Sequence, residues 1–201
     1  MTGASHIEIF VEERSAAEAV QLLVPKIRHD LGFRIYEFQG CGDLLAKLPD
    51  RFRGYSSWLP DEWRIVVLID RDRQDCLELK RKIQGMARRA RLRVRARRGA
   101  PAQVIIRIAV EELESRFFGD VPALRAAFPG VPVDLAKKAK FREPDEIKNA
   151  WESLEAVLQR AGHFPTGLQK IRCARSIAAH MDPGNNRSTS FCVFRDALLA
   201  L

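Results

Sequence analysis

The stretch Ile65-Val66-Val67-Leu68-Ile69-Asp70-Arg71-Asp72 decides the fold. Its aliphatic run is short, rich in β-branched residues and apolar at consecutive positions, so it reads as a strand buried on both faces of a parallel sheet. The run ends abruptly in acid. Working outward, the same design recurs twice. Upstream, Ile7-Glu8-Ile9-Phe10-Val11 runs into Glu12 and Glu13. Downstream, Val104-Ile105-Ile106-Arg107-Ile108-Ala109-Val110 runs into Glu111-Glu112-Leu113-Glu114. In open α/β sheets, ligands bind in the crevice beyond the carboxyl ends of the strands. If the three strands are parallel neighbours, their acids converge on one spot. Carboxylates that close repel one another and call for a compensating cation. For hard oxygen donors that cation is Mg²⁺ or Mn²⁺.

Between these strands the chain alternates in type. Ser15, with Glu18 three residues on, reads as the capping box of a helix running to about Arg28. Phe33 to Phe38 alternates with period two, as a second strand does. A short helix is expected from Asp43 to Leu48, then a loop or irregular helix from Arg51 to Pro60. A basic helix should span about Gln74 to Ala90. Leu92 to Ala96 alternates apolar residues with arginine and reads as an edge strand. From Pro129 to Pro144, three prolines and the lysines 137, 138 and 140 suggest a linker or mobile basic loop. Beyond it, helices are expected over Asp145 to Arg160, over Leu168 to His180, and after Ser188 or Ser190. The expected divisions are an α/β core over 1–128, the basic segment over 129–144, and a helical part over 145–201.

Bulk properties narrow the function. The 201 residues carry 34 Lys and Arg against 26 Asp and Glu, a net charge of +8. A basic chain suits a polyanion such as DNA or RNA, although a basic helix face is also simply a solvated one. The segment Lys80 to Arg98 concentrates this charge. Arg88, Arg89 and Arg91 are expected to contact phosphates there, non-specifically and salt-dependently. Lys140 and Lys170 are candidates for a cation near a scissile phosphate, with a plain surface role as the alternative. Trp58 and Trp63 are read as packing aromatics rather than base-stacking ones, and Tyr36 and Tyr55 as core or surface aromatics.

Other chemistries find no support. The four cysteines (41, 76, 173 and 192) include no Cys-x-x-Cys pair, so neither a zinc site nor a disulfide framework is expected. The four histidines show no metalloprotease spacing. There is no Walker loop and no Gly-x-Gly-x-x-Gly. No stretch approaches the roughly 20 apolar residues of a membrane span, and the start lacks the pattern of a signal peptide. A cytoplasmic protein without membrane contact is therefore expected.

Taken singly, each acid has an ordinary alternative. Asp72 is a possible helix cap, Glu12 or Glu13 a favourable charge at a helix N-terminus, and Glu111, Glu112 and Glu114 a solvated helix start. All three groups following buried-looking strands is the less ordinary pattern. The arrangement resembles the Toprim fold of topoisomerases, primases and the overcoming-lysogenization-defect nucleases. Val11-Glu12 matches that fold's glutamate after the first strand, and Asp70-Arg71-Asp72 its Asp-x-Asp after the third. Glu112-Leu113-Glu114 looks like the further glutamates of the nuclease branch. The wording of the chain is closer still to a Toprim-like domain-of-unknown-function family. Its resembling signatures are Glu8 to Glu13, Gly119-Asp120, Met181-Asp182-Pro183 and Arg187-Ser188-Thr189-Ser190-Phe191.

The resemblance implies a Rossmann-like three-layer α/β fold: a four-stranded, mainly parallel sheet flanked by helices, with a C-terminal helical extension. It implies a Mg²⁺- or Mn²⁺-dependent nuclease. Glu12 would act as ligand or general base, Asp70 and Asp72 as ligands, and Glu112 and Glu114 would complete the site or a second one. Glu13 stands where many Toprims have glycine, and is either an extra ligand or a sign of altered activity. Family members resemble effectors that accompany ATPases in antiphage defence, so DNA or RNA (tRNA included), an ATPase and a second copy of the chain are the expected partners. The competing reading is a Toprim-like subunit that docks on an ATPase with little catalysis of its own. A phosphoacceptor receiver fits less well, because receivers carry a single aspartate after the third strand. Topoisomerase or primase activity would need further domains.

Overall fold

The computed structural model describes residues 3–71, 75–96, 100–110 and 112–201. Four strands form one sheet: β1 (His6–Val11), β2 (Gly32–Glu37), β3 (Trp63–Asp70) and β4 (Val104–Ala109), in the spatial order β2-β1-β3-β4. Every pairing is parallel, and His6 lies opposite both Gly32 and Trp63. Helices α1 (Arg14–Ile27), α2 (Cys41–Ser56) and α3 (Cys76–Arg89) make the crossovers. Five more follow: α4 (Leu113–Phe118), α5 (Val121–Ala127), α6 (Ala150–Arg160), α7 (Lys170–His180) and α8 (Thr189–Leu199). This is the α/β fold expected, with a four-stranded parallel sheet between helical layers.

The alternation of side chains on the strands builds two cores. Ile7, Ile9 and Val11 of β1, with Val66 and Leu68 of β3, face α1, the C-terminal helices and the segment between them. Phe10 of β1 and Ile65, Val67 and Ile69 of β3 face α2 and α3. Both middle strands are thus apolar on two sides, which is why they read as continuous runs rather than alternating ones. Among the described residues, no helix is long and apolar enough to cross a membrane.

Several local expectations change. Glu13, not Ser15, is the N-cap of α1, and Ser15 lies inside the helix with its hydroxyl donating back to the Glu13 carboxylate. Helix α2 runs well past Leu48, through Pro49, to Ser56. Proline forfeits one backbone bond inside a helix, but Leu44, Leu48, Phe52 and Tyr55 recur at helical spacing on the buried face and carry the helix through. Residues 92–96 form no strand. They are a loop strapped to the start of β4: the Gln103 and Val104 amides both donate to the Arg93 carbonyl, at 2.7 and 3.0 Å, and Arg93 N donates to Gln103 Oε1 at 3.0 Å. Across 129–144, short turns of 3-10 helix occur at Leu135–Lys137 and Ala139–Phe141, and Val131, Leu135 and Phe141 are buried in the same core as β1 and α7.

Candidate metal and phosphate site

The strand order sets the site. From β1 the chain moves one way to β2, then returns past β1 to β3, so the crevice between the carboxyl ends of β1 and β3 is a topological switch point. The acids after β1 and β3 flank it. Glu12 reaches across and accepts a hydrogen bond from the Asp70 amide at 3.2 Å. Asp70 in turn accepts from the Leu113 amide at 3.4 Å, at the start of α4, which brings the third acidic segment to the same place. Burial, then the charges of Glu12 and Glu114, push the Asp70 carboxyl well above its usual range, against the pull of Arg116. Glu114 is 4% exposed. Its pKa rises to about 7 through burial, offset by Lys170 and reinforced by Glu13 and Glu112.

Five carboxylates are therefore coupled: Glu12, Glu13, Asp70, Glu112 and Glu114. Asp72 and Glu111 lie outside the described residues. Not all five are equally available. Glu13 is engaged by Ser15, and Glu112 Oε2 accepts from the Trp151 amide at 2.8 Å, fastening the first turn of α6. Among the described residues, no three such groups already stand close enough to cage an ion. The donor chemistry nevertheless suits a hard divalent cation: carboxylate oxygens, two of them on groups whose pKa values are raised by burial first and by neighbouring carboxylates second.

Sequence reasoning missed the cation beneath the cluster. Arg116 is 2% exposed, with its pKa lowered by burial to about 10 and held up by Asp70 and Asp145. Its guanidinium lies over the Phe194 ring, 5.4 Å from the centroid. Nε and Nη2 are buried and have no hydrogen-bond partner among the described residues. An arginine two positions after Glu114 in a short helix carries no motif, so only the fold reveals it.

The expected basic residues are spread over the molecule. Lys170 opens α7 beside Glu114, with Nζ 5.0 Å from the Trp151 ring centroid. Lys140 is exposed, over the Phe141 ring. Arg88 and Arg89 end α3, about 20 Å of helix from its acidic end, and exposed Arg91 follows with φ at 62°. Trp58 is 55% exposed, more open than a packing role requires, with Tyr55 and Trp63 against it at 5.1 and 5.9 Å.

The remaining signature segments meet one another rather than the acids. Asp120 caps α5 through Ala123 N and accepts from Asp182 N at 2.8 Å. Arg187 N donates to the Gly119 carbonyl at 3.0 Å. A Cβ on Gly119 would stand 2.0 Å from Asn186 Oδ1, so only glycine permits this approach. Ser188 and Ser190 both donate to Asp145, the carboxylate that attracts Arg116. These segments form a clasp joining the α4–α5 corner to α8.

A family model described as a domain of unknown function, DUF4276, matches residues 7–199. The chain belongs to that family. No curated protein and no solved structure matches it. Within this DUF4276 chain the match takes in all four strands, the acids at their ends and the clasp.

Proposed function

We propose that this DUF4276 protein is a Mg²⁺- or Mn²⁺-dependent nuclease of Toprim type, an effector acting on DNA or RNA. The observation that carries the reading is the convergence of three acidic strand ends at the switch point of a parallel sheet, where Glu12 accepts from the Asp70 amide and Asp70 from the Leu113 amide, one residue before Glu114. A metal bound by Glu12, Asp70 and Glu114, with Asp72 from the segment after β3, would polarise a phosphate oxygen and neutralise charge on the leaving oxygen. The chain's own groups divide the remaining work. Glu12 takes the proton from the attacking water. Arg116 pulls against the burial and like charge that favour protonated Asp70. Lys170 offers its ammonium to the phosphate from the other flank.

Calorimetry with Mn²⁺ and Mg²⁺ tests this on the wild type and on Asp70→Ala with Asp72→Ala. The expected result is binding by the wild type that the double variant loses, together with metal-dependent cleavage of DNA or tRNA. A folded wild type that binds neither ion overturns the proposal and favours a subunit that serves an ATPase partner.

A further inference from the structure

Two recessed cavities lie along the outer strand of the sheet. One, of about 580 Å³, is bordered by Arg71, Lys80, Arg107 and Arg187. The second, of about 480 Å³, adds Arg81 and Arg95 and shares Leu77, Lys80, Ile106 and Arg107 with the first. They are continuous through those shared residues. Among the described residues β4 pairs with no strand but β3, and beyond the Val104 amide, which donates to Arg93, its far edge borders both cavities.

Helix α3 supplies the other wall. Leu77, Lys80, Arg81 and Gln84 recur at i, i+3, i+4 and i+7, which sets them on one stripe. Leu79, Ile83 and Met86 face the sheet instead. Arg88 continues the stripe by one turn and donates to Gln84 Oε1 at 3.3 Å. Lys82 and Arg89 fall on the opposite flank by the same spacing.

The charges on this wall are not answered. Lys80, Arg81, Arg95, Arg107 and Arg187 make no ion pair among the described residues. Arg107 is the strongest case. Its Nε and Nη1 are spent on the carbonyls of Val193 and Ile106, at 3.2 and 2.8 Å. Burial lowers its pKa with no carboxylate to offset it. The acids of the first cavity, Glu143, Asp145 and Glu146, come from one short segment, and Asp145 is already committed to Ser188 and Ser190. Between the cations the surface is apolar, with Leu77 and Val193 left 60% and 49% exposed.

We infer that the trough between β4 and α3 is a track for single-stranded nucleic acid, which Arg71 delivers to the carboxylates at Asp70. A single strand presents phosphates and apolar base faces together, and the trough presents cations and aliphatic side chains together. A duplex shows a convex row of phosphates that a recessed edge does not admit. The inference rests on the nuclease reading for what happens at the acid end, and on the trough alone for binding.

The test is anisotropy of a short labelled DNA or RNA strand, with Ca²⁺ present and Asp70→Asn in every variant, so that binding is read without turnover. Lys80→Glu with Arg81→Glu should weaken binding about tenfold or more and lower the salt slope by about 2. Lys82→Glu with Arg125→Glu changes net charge equally at exposed positions away from the trough, and should leave binding near that of the parent. Equal loss in both pairs overturns the track, as does tighter binding of the matching duplex or equal binding of polyglutamate. Strand binding by the Asp70→Asn parent, with no cleavage by the wild type in Mg²⁺ or Mn²⁺, leaves the track standing and removes the nuclease. Cleavage by a Lys80/Arg81 variant that keeps Asp70, with binding unchanged in the Asp70→Asn background, does the reverse.

Discussion

A buried carboxyl with a raised pKa prefers its proton, and Glu114 makes that preference measurable. Its folded-state value of about 7 lies above the ordinary value of 4.5. Between those values the native state holds a proton that the unfolded chain has released, so stability falls as pH rises through the window. In metal-free protein, thermal midpoints should therefore decline from about pH 4.5 to pH 7, and Glu114→Gln should flatten that decline. A wild type whose midpoint climbs across the window in step with the variant would contradict the assignment. Mn²⁺ should reverse the decline at pH 7, since a ligand bound by the native state alone stabilises it. Glu12, Glu13, Asp70, Glu112 and Glu114 were readable in the sequence because each follows an apolar run. Arg116 was not, because its importance lies in what a buried guanidinium faces across the fold.

Helix α1 holds α7 by its end. Lys26 Nζ donates to the carbonyls of Ala178, Ala179 and Met181 at 3.0, 2.7 and 2.9 Å. Those groups close α7, where a cation meets both unpaired carbonyls and the negative end of the helix dipole. Lys26→Met should cost about 1 kcal/mol in urea denaturation, with m-value unchanged; no cost would show that water caps α7 as well. At this scale the sequence spoke unevenly. Strands β1 and β3 were plain, since full burial leaves an unbroken apolar run. The length of α2 was hidden by Pro49, a breaker that packing overrides. Residues 92–96 misled because their alternation is real, with Leu92 buried and Val94 packed partly against the core, yet among the described residues no strand pairs with them. A strand also needs a neighbour, and periodicity says nothing of neighbours.

The larger of the two cores joins the beginning of the chain to its end. Leu154, Ile177, Phe191 and Leu198 from its last quarter pack in the cluster that contains Ile7, Ile9 and Val66. Cutting at residue 144 should therefore leave the fragment 1–144 with α1 and the core it shares with the sheet exposed where α6, α7 and α8 had packed. We expect that fragment to bind the dye ANS and to unfold without a cooperative transition; a sharp transition would mean that the sheet and its first helices are sufficient. The division of the chain suggested by composition rested on prolines and lysines at 129–144. It could not register Val131, Leu135 and Phe141, three isolated apolar residues that find the core only in three dimensions. The strand order also has a consequence in time. With every pair parallel, no two strands are joined by a hairpin, and each pairing must close a long loop. Such topologies fold slowly, because loop-closure entropy is spent before distant contacts return anything. During synthesis β1 emerges first, yet it meets β3 only when Trp63 to Asp70 have been made, and the core it shares with α1 stays incomplete until α7 and α8 arrive. The nascent chain thus carries β1 without its full cover for most of its translation, and it is then that a chaperone would have the most to hold.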